Sequence, residues 1–267
     1  MKKIYAVVNM VSVCMVVVIN YLSQNQRWNG TTIGETSDRY DNLFTPAGYA
    51  FSIWGIIFLM LLAYSFFQIR RVFFSTKPSP FIEQTGWWFS IANTLNALWV
   101  IAFIYDQISL SVVIMVGILY SLLKIVIKTN MERWDAPIPI IAFVWWPICI
   151  YAGWIAVATI ANFSAFFVSL GRVGSELSQV VWTMIMITAA VLINILMVWL
   201  RNMREFSAVA VWALVAIFIR HREAYESISY YALASAVILL IIIALHAYSN
   251  RATGPQVKLR EWIERKG

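Results

Sequence analysis

Charge is what this chain has least of. Asp, Glu, Lys and Arg make up 12% of its 267 residues, where a soluble domain has about 25%. A water-soluble fold of this length leaves too much surface exposed to hide the 61% of residues that are hydrophobic, so lipid must cover them. Acidic residues are missing from the apolar runs altogether: no Asp or Glu falls inside a run long enough to span a bilayer. Ion-coupled transport built on intramembrane carboxylates is thereby disfavoured. Cysteine is equally sparse, and Cys14 and Cys149, each inside an apolar run and far apart, make no disulfide framework. His221 and His246 lie near the ends of runs without metal-ligand companions at suitable spacing, so no metal is expected. A phosphate-binding glycine loop, a nucleophile elbow and an HExxH pattern are all lacking. Ser, Thr and Tyr stand without a neighbouring base, so neither a catalytic residue nor a cofactor is expected.

What is present is eight apolar runs, at about 4–22, 48–69, 87–105, 108–127, 138–161, 180–200, 206–220 and 228–248. A helix needs roughly 20 apolar residues to cross the hydrocarbon core. The expected fold is an all-α integral membrane protein of about eight transmembrane helices, with short loops except 23–47 and the stretch around 162–179. The first run has no small-residue cleavage pattern and reads as a retained helix. The seventh is short, some 22 Å at about 1.5 Å per residue, but Arg204 and Arg220 flank it and can reach the headgroups. At the tail, Leu259, Trp262 and Ile263 stand among charged residues, which fits either a short helix on the inner surface or an unstructured polar segment.

The net charge of +7 does not point to nucleic acid, because Lys and Arg sit in short clusters between the runs. With eight spans and the N-terminus inside, the inner side holds Lys2, Lys3, Arg70, Arg71, Lys77, Lys124, Lys128, Arg133, Arg201, Arg204, Arg251, Lys258, Arg260, Arg265 and Lys266. The outer side holds Arg27, Arg39, Arg172, Arg220 and Arg222. That bias predicts both termini in the cytoplasm.

Tryptophan is abundant, with thirteen residues. Trp87, Trp88, Trp134 and Trp262 fall at predicted interfaces and fit an aromatic belt. Trp54, Trp99, Trp145, Trp146 and Trp154 fall inside runs. Phe51, Trp54 and Phe58 share one helical face; Asn93 and Asn96 share another with Trp99; Tyr151, Trp154, Ala158 and Asn162 share a third. Amides in lipid need partners, so these Asn residues should face the bundle interior. Two readings remain open on spacing alone: interhelical hydrogen bonding with aromatic packing, or an aromatic-walled pocket for a flat apolar ligand.

Residues 44–55, FTPAGYAFSIWG, resemble the F-x-P-P-x-x-x-F-x-x-x-W start of the second helix in the tryptophan-rich sensory protein family, also called the translocator protein or peripheral benzodiazepine receptor family. Residues 95–99, LNALW, resemble its third-helix L-N-x-x-W, and 151–162, YAGWIAVATIAN, its fifth-helix Y-x-x-W-x-x-x-A-T-x-x-N. The motifs cover about residues 1–165. The resemblance implies a five-helix ligand-binding bundle over 1–168, with three additional helices over 169–250 and a cytoplasmic tail over 251–267. It implies binding of porphyrin or a similar planar ligand, with Trp54 and Trp154 as walls, Asn96 as a polar contact and Ala158 leaving room. Asn93 extends the stripe beyond the motif. Phe51, Trp99, Tyr151 and Asn162 complete the candidate site. The sequence departs from the pattern at Ala47, where the family has a second proline, in the loop, which lacks the W-Y-x-x-L-x-K-P run, and in the fifth helix, which lacks the family's proline just before the tyrosine and is expected to kink slightly earlier, at Pro147. The aromatic–basic end linked to cholesterol is absent, so sterol binding is not expected. The implied function is a receptor, sensor or carrier in a bacterial cytoplasmic membrane. The alternatives are a secondary transporter of a neutral or amphipathic solute, and an enzyme degrading porphyrin through Trp54 and Trp154. The extra helices could form a homodimer surface, enclose the pocket or build a second site.

Overall fold

The computed structural model describes residues 1–171 and 174–264, so Arg172, Arg265 and Lys266 of the charge pattern lie outside the described residues. All elements among the described residues are helical. They are α1 (Lys2–Asn25), α2 (Ile33–Arg39), α3 (Ile53–Phe73), α4 (Phe81–Thr85), α5 (Trp88–Ile104), α6 (Ile108–Lys128), α7 (Ile138–Ile140), α8 (Trp146–Ser169), α9 (Glu176–Arg201), α10 (Arg204–His221), α11 (Glu226–Ser249) and α12 (Pro255–Glu264). Among the described residues six segments are long and apolar enough to cross a membrane, α5 is a shorter apolar helix, and the chain is an all-α membrane protein.

In α1 the stripe Ala6, Asn9, Val13, Val16 and Asn20 is buried while Val7, Val11 and Val18 face outward. Ile56, Leu59 and Phe66 of α3 do the same. An apolar outer face with a mixed inner one is what lipid permits and water does not. Helices α1, α3, α5, α6 and α8 pack together as the five-helix bundle, and α10 lays itself along α8 with α9 and α11 on its other side. The α8–α10 contact is very close: a Cβ on Gly153 would stand 2.6 Å from the Phe206 carbonyl oxygen. Glycine is required there because the backbones themselves meet.

The structure sharpens the expected elements. Helix α8 continues to Ser169, so the link expected around 162–179 shrinks to the short stretch before α9. Asn162, Ser164 and Ser169 interrupt the apolar run, yet each bonds inside the protein: Ser164 and Ser169 donate to the carbonyls of Ile160 and Phe166, one turn back. Helix α10 begins at Arg204, two residues before the expected run, which places Glu205 in its first turn. The tail folds as α12, and Lys258 on it pairs with Asp135 at 2.8 Å. The expected kink near Pro147 appears as a π-helical turn at Ile141–Trp145, immediately before α8. Proline has no N–H to give the preceding turn, which is then free to widen.

Candidate functional site

Phe51 leaves the 3-10 turn Gly48–Ser52, and Trp54 and Phe58 follow on α3, where Trp54 stacks on Phe58 with ring centroids 5.2 Å apart. From α8, Trp154 meets Phe51 edge-on at 5.9 Å and Trp54 at 6.5 Å. Trp99 comes from α5, stacked on Phe103 at 5.0 Å. These rings, with Ala158 and Asn162, line an almost wholly apolar cavity of about 40 Å³ roofed by Ile33, Thr45 and Pro46. Ala158 matters as a small residue, because a longer side chain would fill so small a space.

The polar anchor is Asn162. Its carbonyl oxygen accepts from the Trp99 indole N–H at 2.7 Å, and its amide donates to Ser111 at 2.9 Å. That fixes both the amide and the Trp99 ring plane. Six of the nine predicted residues, Phe51, Trp54, Trp99, Trp154, Ala158 and Asn162, therefore meet at one cavity.

The other three sit behind the wall. Asn96 donates to the Tyr151 hydroxyl at 3.0 Å and accepts from Asn20 at 3.3 Å, and the Tyr151 ring backs Trp54 at 6.0 Å. Asn93 donates to Ser12 at 3.1 Å. With Asn9, which donates to Gln68 at 3.0 Å, these form a buried polar seam along α1. Asn9, Ser12, Asn20 and Gln68 were not among the predicted site residues. The signal was available in the sequence: Asn9, Ser12, Asn20 and Ser23 fall on one helical face.

On the far side of Phe51 and Trp54 lies an open groove of about 740 Å³ between α1 and α3, floored by Gly48 and Gly55 and edged by Asn20, Tyr21 and Gln24. Cavity and groove are two chambers that share two aromatic residues.

The roof is held by α10. The Ala47 N–H donates to the Ala216 carbonyl at 3.2 Å, and the Trp212 indole donates to the Ala50 carbonyl at 3.1 Å. Arg220 pairs with Asp41 at 2.6 Å and donates to the Pro46 carbonyl at 3.3 Å, while the His221 ring meets the Leu43 carbonyl at 2.9 Å. Leu43 and Phe44 are buried in the core that α10 shares with α9 and α11. The residue that departs from the family's proline, Ala47, is thus one that needs its N–H.

Fold and site together define a helical membrane protein with an aromatic-walled cavity inside a five-helix bundle. The chain belongs to the TSPO-like protein family, whose model matches residues 6–245 and so continues past the bundle into α11. No curated protein and no solved structure matches the chain.

Proposed function

We propose that the protein is a membrane receptor or carrier that binds porphyrin or a similar planar hydrophobic molecule between the cavity and the α1–α3 groove. The reading rests on one observation: Phe51 and Trp54 line both chambers. A cavity of 40 Å³ has room for about one water and not for a macrocycle. The groove is of the size that ligand sites have, a few hundred to about 1,000 Å³. A flat ring lying in the groove stacks on Trp54 and Phe58, while a substituent displaces Phe51 and reaches Trp154 and Asn162. Aromatic stacking supplies affinity and Asn162 supplies a single oriented polar contact.

Protoporphyrin IX added to the purified protein in detergent is expected to quench tryptophan fluorescence saturably. Trp154→Ala and Ala158→Leu should each weaken binding several-fold. Absence of saturable quenching at micromolar porphyrin overturns the reading. The proposed setting is a bacterial cytoplasmic membrane with eight spans and both termini inside, as the basic residues favour.

A second reading, transport of a neutral or amphipathic solute, gains support from Glu205, a largely buried carboxylate in a helix. Uptake into proteoliposomes with and without a proton gradient separates it from receptor function.

A further inference from the structure

Loop 129–137 and the adjoining ends of α10 and α11 enclose a polar chamber of about 230 Å³, lined by Glu132, Arg204, Glu205, His246 and Asn250 among others. Its residues are distinct from those of the aromatic cavity. Four buried atoms of its walls have no hydrogen-bond partner: Glu132 Oε1, Glu205 Oε2, Arg204 Nε and His246 Nδ1. The Trp146 indole N–H faces the Glu205 carboxylate from beside the chamber. Each buried polar group left without a partner costs about 1–3 kcal/mol, and more when charged. Among the described residues, Glu132, Glu205 and Arg204 form no ion pair. The neighbouring Asp135 is already matched by Lys258 at 2.8 Å.

The chamber is also built firmly. Asn202, which ends α9, donates to the Glu132 carbonyl at 2.7 Å, fixing the loop against the start of α10. Trp134 and Trp145 stand edge to face at 5.4 Å as one wall. A cation alone would answer the carboxylates and leave Arg204 and His246 unmet. An anion alone would do the reverse. The volume corresponds to roughly seven waters, at ~30 Å³ each, enough for a small organic molecule. A molecule carrying both charges a few bonds apart answers all four groups at once.

We propose that this chamber is a second binding site, taking a compact zwitterion whose primary ammonium sits at Glu132 and Glu205 and whose phosphate or carboxylate faces Arg204 and His246. Charge-assisted hydrogen bonds at both ends would supply the missing partners. Such a ligand has two sources: a soluble metabolite or the headgroup of an ethanolamine phospholipid.

The test is calorimetric titration of the full chain in detergent with phosphoethanolamine and with glycine, and with ethanolamine and inorganic phosphate as half-molecules. Native mass spectrometry of protein taken from phosphatidylethanolamine nanodiscs is the lipid arm. At least one whole zwitterion is expected to bind saturably at one site, at least tenfold more tightly than either half. Glu205→Gln and Arg204→Gln should each weaken it tenfold or more; Glu132→Gln, on the loop, reports the same should a helix variant fail to fold. Retention of the phospholipid, displaced by phosphoethanolamine, assigns the lipid source, and binding of soluble zwitterion without lipid retention assigns the metabolite. Absence of binding by any whole zwitterion overturns the proposal, as does equal binding by a half-molecule or binding indifferent to Glu132→Gln and Glu205→Gln.

Discussion

Asn162 carries two tasks in one amide, holding the Trp99 ring through a 2.7 Å bond and tying α8 to Ser111 of α6. Replacing it with alanine leaves the buried indole N–H and the Ser111 hydroxyl without this partner. The expected cost is about 1–3 kcal/mol, read as a lower melting temperature in detergent together with a changed Trp99 emission. A variant that melts like the parent would show that Asn162 is dispensable. Glu132 makes a pH prediction. Burial first, and then the neighbouring Glu205 carboxylate, raises its pKa to about 8, above the ordinary carboxylate value, despite the opposing pull of Arg204. An unfolded Glu ionises near pH 4.3. The folded protein therefore holds the proton more tightly, and its stability falls as pH rises from there toward the raised folded value. Glu132→Gln should melt above the parent by a margin that widens between about pH 5 and about pH 8. A margin independent of pH would contradict this. Both residues were open to sequence reading to different degrees: Asn162 stands in a motif on an apolar helix, whereas Glu132 sits in a charged loop where nothing marks it as buried.

Among the elements, α10 explains most of what the apolar runs left unassigned. It touches α8 at Gly153 and grips the roof through Trp212, Ala216, Arg220 and His221. Gly153→Val must push α10 away from α8, at a cost of about 1–3 kcal/mol as for other overpacked sites; the measurement is thermal unfolding in detergent. Ala47→Pro is a finer probe. Ala47 has φ −57°, which proline accepts, so the change removes the bond to Ala216 while leaving the backbone where it is. Faster hydrogen exchange confined to the roof, around residues 41–52, is the expected outcome, and unchanged exchange there would show that the Ala216 bond carries no weight. The stripes on α3, α5 and α8 could be read from helical spacing because both partners of each stripe lie on one helix. The roof contacts could not, since they join residues more than 160 positions apart.

At the scale of the whole molecule, the polar contacts constrain how often the chain crosses the bilayer. Lys258 on α12 pairs with Asp135, and Asn202 before α10 bonds to Glu132, so the tail, the start of α10 and loop 129–137 lie at one end. The other end of α10 reaches Asp41 and Pro46 in the roof. Between roof and loop run α3, α5 and α6, an odd number, so if each crosses the bilayer the two ends lie on opposite faces. Helix α10 is therefore expected to run from one face to the other although its 18 residues extend only about 27 Å, slightly under the ~30 Å of hydrocarbon. Arg204 at one end lines the polar chamber and Arg220 at the other pairs with Asp41, so both ends of the helix are met by polar contacts. If α10 turned back instead, α8, α9 and α11 would carry the tail to the face opposite loop 129–137, and the Lys258–Asp135 pair could not form. With Cys14 and Cys149 replaced, a cysteine at Glu223 should react with a membrane-impermeant maleimide in intact cells. One at Asp135 or Glu261 should react only after permeabilisation. Labelling of Glu261 from outside would reverse the tail and, with it, the eight-span reading that the charge pattern first favoured.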